Sequence, residues 1–124
     1  MSEHKPVGTI MGLDLTVPDA EKVRDFYTSV VGWEVEMLGD DYVMKSPSGE
    51  WVGGVCHRRG ENADLPPVWL AYIAVADLDS SLAACTAGGG RALTPIKGGE
   101  GEARYCVIED PAGAIIALLQ QGPA

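Results

Sequence analysis

Few side chains in this sequence have a type and spacing that suit chemistry, and Asp14 is one of them. It lies between Leu13 and Leu15, in a stretch where odd positions are apolar and even positions from 12 onward are small or polar. A strand with this alternation turns its apolar side chains towards a core and presents the Asp14 carboxylate on the other face. There it could bind a cation, or act as a general base if burial raises its pKa. The alternative is a carboxylate that water solvates or an arginine pairs.

His57 and Arg104 are further candidates for polar chemistry. His57 is one of two histidines, and it could act as an acid, a base or a metal ligand. It stands beside two arginines and no acidic cluster, which favours a solvated residue instead. Arg104 could hold a ligand carboxylate in bidentate geometry. The favoured interpretation is instead an ion pair of Arg104 with Asp14 or Glu102.

Aromatic side chains could line a binding pocket next to these polar groups. Trp51 and Tyr72 have the strand parity expected of a ligand-binding face, and Tyr42, Met44 and Tyr105 could extend it. Such a surface suits a flat organic ligand, whereas the alternative is ordinary packing between sheets. The predicted ligand-binding residues are Asp14, Tyr42, Trp51, His57, Tyr72 and Arg104.

Composition and charge exclude several classes of partner. Nine lysines and arginines stand against 18 acidic residues, a net charge of −9, so nucleic acid is not an expected partner. No apolar run approaches the roughly 20 residues that cross a bilayer, and the first residues lack the apolar core of a signal peptide, so no membrane partner is expected. The three cysteines are an odd number without metal-type spacing, which predicts reduced thiols in a cytoplasmic protein.

An internal repeat predicts two copies of one structural plan. LDLTVPD at 13–19 aligns with AYIAVAD at 71–77, at an offset of 58. SPSGEWVGGV at 46–55 aligns with DPAGAIIALL at 110–119, at an offset of 64. The difference between the offsets fits an insertion in the second copy, KGGEGE at 97–102.

Each copy predicts a strand, a helix and three more strands, which makes the chain an α+β protein with two βαβββ modules. Asp19 and Asp77 are predicted to cap the two helices. The predicted strands lie near 10–17, 33–38, 41–45 and 51–57 in the first copy, and near 70–75, 91–95, 103–109 and 114–120 in the second. The predicted domains are a first module over 7–58, a linker over 59–66 and a second module over 67–121.

The order of several short motifs resembles the vicinal oxygen chelate superfamily, which contains glyoxalase I, extradiol dioxygenases, fosfomycin-resistance enzymes and bleomycin-resistance proteins. The resemblance covers about residues 8–120. It implies that each module is a curved mixed sheet with a helix on its convex face, and that the two modules form a cup. The motifs are a strand that ends in Val17-x-Asp19, a helix that carries Phe26-Tyr27, then Gly32-Trp33, and finally Asp110-Pro111-x-Gly113 before an apolar strand.

The resemblance also implies where a divalent metal would be held, and those positions lack donor side chains. In the family the metal lies in the cup, on ligands from the first and last strands of each module. The corresponding residues are Gly12, Gly53, Leu70 and Ala117. None of them carries an oxygen or nitrogen donor on its side chain, so no metal and no other cofactor is expected.

The favoured function is therefore similar to that of bleomycin-resistance proteins. A small organic ligand, cationic or aromatic, would bind in the cup between the modules without a metal and without catalysis. One alternative is a metal-dependent lyase, isomerase or dioxygenase of the superfamily with ligands displaced to Asp14, His57 or Glu109. The other is a structural or regulatory domain whose cup is filled by its own side chains. Because the family often pairs two chains, a homodimer is also expected.

Overall fold

The computed structural model describes residues 4–99 and 101–123. Within this part of the chain it has eight strands, two α-helices and a short 3-10 turn at Gly60–Asn62, in βαβββ order twice over. The α+β class and the doubled plan are therefore confirmed. The elements are β1 Ile10–Val17, α1 Ala20–Val31, β2 Glu34–Leu38, β3 Asp41–Lys45, β4 Trp51–His57, β5 Trp69–Val75, α2 Leu78–Ala87, β6 Arg91–Ala92, β7 Arg104–Glu109 and β8 Ile115–Gln120.

The chain divides into two compact units. The first unit is Gly12–Trp69, and the second joins the residues up to Met11 to those from Leu70 onward. The strand order is β2-β3-β4-β1 in the first unit and β5-β8-β7-β6 in the second. In each unit the first and last strands of the βαβββ order are parallel neighbours, and the remaining pairs are antiparallel.

The residues before β1 belong with the second unit because their backbone bonds to β5. Gly8 N donates to Ala74 O at 2.8 Å, and Ala74 N donates to Thr9 O at 2.9 Å. The side chain of Gln121 also bonds to the backbone of Lys5. The first described residues are therefore hydrogen-bonded to residues that come more than sixty positions later in the chain.

Both helices begin at the predicted aspartates. The Asp19 side chain accepts a hydrogen bond from Lys22 N, and the Asp77 side chain accepts from Asp79 N and Ser80 N. Helix α1 ends at Gly32, whose φ of 82° is a left-handed conformation that favours glycine. Neither described helix is long and apolar enough to cross a membrane.

A hydrophobic core lies between helix and sheet in each unit. In the first unit an aromatic group completes it: the ring of Tyr27 stacks on Trp33 with centroids 5.4 Å apart, and Trp69 Nε1 donates to the Tyr27 hydroxyl at 3.0 Å. In the second unit Cys106 is 1% exposed, as expected of a small strand residue. The buried residues of the two cores are Leu15, Val17, Ala20, Tyr42, Met44 and Val55, and then Leu78, Cys106, Ile108 and Leu118.

Strand β6 is shorter than the predicted 91–95. Leu93 N still donates to Val107 O at 2.8 Å, but the hydroxyl of Thr94 then bonds to Val107 N in place of the regular ladder. Pro95 follows and has no N–H to donate. The predicted insertion over 97–102 includes Glu100, which lies outside the described residues.

Candidate functional site

The pairing of β1 with β4 sorts the side chains of the first unit onto two faces. Asp14 is aligned with Gly54 and Thr16 with Cys56, so these side chains share one face, here called the Asp14 face. The intervening residues, such as Leu15 and Val55, face α1 and form the core. Since successive strand residues alternate in direction, every residue of β1 and β4 belongs to one face or the other.

Asp14 is held by one oxygen and leaves the other without a partner. Its Oδ1 accepts a hydrogen bond from Gly54 N at 3.1 Å, and no described residue donates to its Oδ2. The side chain is half-buried, and this burial raises its pKa. The bond from Gly54 opposes the shift, while the nearby charge of Asp41 adds to it. The result is a carboxylate whose unpaired oxygen can accept a hydrogen bond or a proton.

Gly54 permits this position of Asp14, and the sequence reasoning overlooked it. A Cβ on Gly54 would lie 2.7 Å from Asp14 Oδ1 and 3.6 Å from Cys56 Sγ. No side chain fits there unless the carboxylate moves. The signal that could have revealed it is the Gly53-Gly54 pair inside a strand, since glycine in a strand interior often marks a close approach.

Cys56 is the nearest thiol to Asp14, and it is not activated. Burial raises its pKa to about 12, with further contributions from the charges of Asp14 and Asp41 and from a hydrogen bond with Asp41. A thiol with this pKa remains protonated at neutral pH and is a weak nucleophile. Among residues 4–99 and 101–123, no group of three His, Cys, Asp or Glu side chains could hold a metal ion.

Tyr42 and His57 lie together, but on the face that packs against α1. Tyr42 is 4% exposed in the core, its ring centroid is 5.6 Å from that of His57, and the Arg24 guanidinium covers the ring at 4.7 Å. His57 is aligned with Val17, a core residue. The structure therefore separates these two predicted ligand-binding residues from Asp14.

The resemblance implies that Gly53 lies on the same face as Gly12, which by alternation is also the face of Asp14. The structure places Gly54 there instead, and an irregularity in the sheet explains why. Lys45 pairs with Trp51 while Met44 pairs with Gly53, so Val52 is an extra residue in β4. Such a bulge reverses the alternation on one side of it. Gly54 thus takes the position beside Asp14 that the repeat had assigned to Gly53.

The same irregularity brings Trp51 to the Asp14 face. Val43 is aligned with Gly54, so Lys45, two residues further along β3, has the direction of the Asp14 face. The Lys45 ammonium lies 5.6 Å from the centre of the Trp51 ring. Trp51 is 64% exposed, so most of its ring is accessible.

The second unit holds the other two predicted site residues, Tyr72 and Arg104. Tyr72 lies beside Tyr105, with ring centroids 5.5 Å apart, on the sheet face away from the core. Arg104 Nη2 instead bonds to Asp79 Oδ2 of α2 at 3.2 Å. The predicted pairing of Arg104 with Asp14 or Glu102 is therefore wrong. The fold brings α2 within reach of β7, so Arg104 pairs with Asp79 instead.

Comparison with known proteins identifies the family. The model of the glyoxalase, bleomycin resistance protein and dioxygenase superfamily matches residues 8–118. The chain belongs to this superfamily. CFP32 of Mycobacterium bovis, named as a candidate glyoxylase, is 34% identical over 96% of this chain, and the anthracycline biosynthesis protein DnrV of Streptomyces peucetius is 30% identical over 88%. The chain spans about half the length of these relatives, 48% and 46% respectively.

A solved structure supports the same fold. Methylmalonyl-CoA epimerase from Mycobacterium tuberculosis superposes with a TM-score of 0.56 at 18% identity, over 98% of this chain and 94% of that one.

The residues present do not fit the metal that the superfamily implies. Gly12 and Leu70 occupy the first strands, and Gly53 and Ala117 the last. The corrected alignment replaces Gly53 by Gly54, which changes nothing, because glycine again offers no donor side chain.

Gly54→Ala tests whether this glycine positions Asp14. The added methyl group should push the carboxylate away from Gly54 N and lower the free energy of unfolding by about 1–3 kcal/mol. Gly12→Ala is the matched control on the same strand face, because a Cβ there meets nothing within 4 Å. Urea unfolding of both variants measures the effect, and equal losses in the two would contradict this role for Gly54.

Asp14→Asn tests the raised pKa of the carboxyl group. Because the folded chain favours the protonated form, it binds more protons than the unfolded chain between the ordinary aspartate pKa of roughly 3.9 and the raised value. Stability of the wild type should therefore fall as pH rises through that window. An asparagine can still accept from Gly54 N, so the variant should be the more stable protein at pH 7 and equal to the wild type near pH 3. Urea unfolding from pH 3 to 7 checks this, and a variant less stable at pH 7 would refute it.

Proposed function

We propose that this protein binds a small organic ligand on the Asp14 face of its first unit, through its own side chains and without the metal of its superfamily. The observation that carries the proposal is the half-buried Asp14 carboxylate, whose Oδ1 is fixed by Gly54 N and whose Oδ2 has no hydrogen bond from any residue that the structure describes. Because one oxygen is already fixed before a ligand binds, the entropy cost of ordering this side chain on binding is smaller. A positively charged or hydrogen-donating group is the chemical match for the other oxygen.

Trp51 supplies the aromatic part of this proposed site. It lies three residues before Gly54 on β4, which corresponds to about 10 Å along a strand. A flat ligand could stack on its exposed ring and extend a donor group towards Asp14. The net charge of −9 would raise the local concentration of a cationic ligand. Tyr42, His57, Tyr72 and Arg104 remain proposed contacts, although none of them shares the Asp14 face of the first unit.

The proposal is tested first by metal content and then by a ligand screen. Protein purified without an affinity tag should retain no stoichiometric nickel, zinc, manganese or iron(II) after soaking and desalting, by elemental mass spectrometry. A thermal-shift screen of cationic and aromatic compounds should then find a ligand whose affinity falls about tenfold or more in Asp14→Asn, as expected for a lost bond to a charged group.

Glu50→Gln is the control for the loss of one negative charge, since Glu50 is exposed in a turn. It should leave the affinity of the same ligand nearly unchanged. One retained metal per chain, with ligand binding that chelation abolishes, would instead favour a metal-dependent enzyme with displaced ligands.

A second candidate function is proton transfer by Asp14. Burial raises its pKa, and an unpaired oxygen is what a general base requires. A ligand from the screen that carries an acidic C–H bond would then exchange that hydrogen with solvent deuterium in the wild type and not in Asp14→Asn.

We also propose a cytoplasmic homodimer. Cys56, Cys85 and Cys106 are all free thiols, as expected in a reducing compartment. The relatives are about twice as long as this chain, so two copies would match their length. Light scattering during size-exclusion chromatography should give twice the 13.1 kDa chain mass, and a monomer mass at micromolar concentration would contradict the dimer.

A further inference from the structure

Arg58 has no partner for its charge within the described part of the chain. It is half-buried directly after β4, and its Nε is buried without a hydrogen-bond acceptor. None of the ion pairs found among the described residues includes Arg58. Its backbone, by contrast, is well placed, since Arg58 N donates to Val17 O at 2.9 Å.

The other four arginines are paired, which makes Arg58 an exception. Their partners are carboxylates at 2.9 to 3.6 Å. Partial burial of a guanidinium without a counter-ion is unfavourable, because the charge loses hydration and gains nothing in return. Nε of the paired Arg104 is also buried without a hydrogen-bond partner, so what sets Arg58 apart is the lack of a described counter-ion, which leaves its guanidinium open to an anion from outside the chain. The paired arginines are Arg24, Arg59, Arg91 and Arg104.

The backbone places Arg58 on the Asp14 face. Its bond to Val17 O continues the β1–β4 ladder by one residue, and the following Arg59 is also extended, with φ −156° and ψ 164°. Alternation therefore gives Arg58 the direction of Cys56, two residues earlier. Arg59 turns the opposite way and pairs with Asp40 at 3.6 Å.

We infer that Arg58 binds an anionic group, a carboxylate or a phosphate, on the ligand that the Asp14 face takes. This rests on the proposed function and deepens it, since the ligand then carries an anion at one end in addition to the group that meets Asp14. Arg58 lies four positions after Gly54, about 13 Å along the strand. The Nη groups are the donors in reach, because Nε is the buried atom of this guanidinium.

The inference is tested by titrating the 124-residue chain with inorganic phosphate and with malonate, using neutral malonamide as the comparison. Proton–nitrogen NMR spectra should show saturable shifts of the Arg58 Nε–H signal and of the backbone from Gly54 to Arg58 with an anion and not with malonamide. Arg58→Gln should bind that anion about tenfold or more weakly, as expected for a lost charge-assisted bond. Arg59→Gln, the neighbouring and exposed arginine, is the matched control and should bind as the wild type does.

Arg58→Lys distinguishes the two anions. A lysine ammonium binds phosphate well as a point charge, whereas the planar fork of arginine favours a carboxylate. If the wild type binds phosphate and Arg58→Lys keeps near wild-type affinity for it, the group is a phosphate. If the wild type binds malonate and not phosphate, and Arg58→Lys binds malonate weakly, the group is a carboxylate. Urea unfolding excludes a structural role for Arg58 if the midpoint of Arg58→Gln is equal to or above that of the wild type.

Three results would overturn the inference: wild-type protein that binds neither anion, Arg58→Gln that binds within twofold of wild type, or equal loss in Arg59→Gln. The proposed function fails separately. If neither anion binds while the screen yields a ligand that depends on Asp14, only the anion site is lost. If an anion binds through Arg58 and no ligand depends on Asp14, the proposed role of Asp14 is lost.

Discussion

The alignment of β1 with β4 is the constraint on which the chemistry of the first unit depends. It places Gly54 beside Asp14, and the hydrogen bond from Gly54 N then fixes one carboxylate oxygen. A shift of one residue in this alignment would place the Asp14 side chain and Gly54 on opposite faces of the sheet, since strand side chains alternate. The single extra residue in β4, Val52, decides this alignment. The sheet irregularity therefore determines which glycine of β4 lies beside Asp14.

Asp14 and Arg58 are the two groups on which the proposed ligand site depends. Burial raises the pKa of the Asp14 carboxyl, and the hydrogen bond from Gly54 N opposes only part of this shift. Arg58 has a buried Nε without an acceptor and belongs to none of the ion pairs among the described residues. Ionisable groups with shifted pKa values, such as Asp14, are common at functional sites. Cys56, which lies on β4 between Gly54 and Arg58, has a pKa raised to about 12 and stays protonated at neutral pH.

Membership of the superfamily establishes the fold and leaves the chemistry to individual residues. A methylmalonyl-CoA epimerase superposes on this fold at only 18% identity, and the sequence relatives are named for glyoxylase and anthracycline biosynthesis roles. At the positions where the resemblance implies metal ligands, this chain has Gly12, Leu70 and Ala117, whose side chains offer no donor. The proposed ligand site therefore relies on other contacts.

The sequence by itself determined the α+β class, the doubled order of elements and the two helix caps, because alternation, turn residues and capping aspartates are local signals. It also identified Asp14 as a residue of the open face. Only the tertiary structure decided that Gly54 rather than Gly53 lies beside Asp14, that Tyr42 is a core residue and that Arg104 pairs with Asp79. These depend on a bulge and on contacts between distant segments, which no repeat or spacing in the chain records.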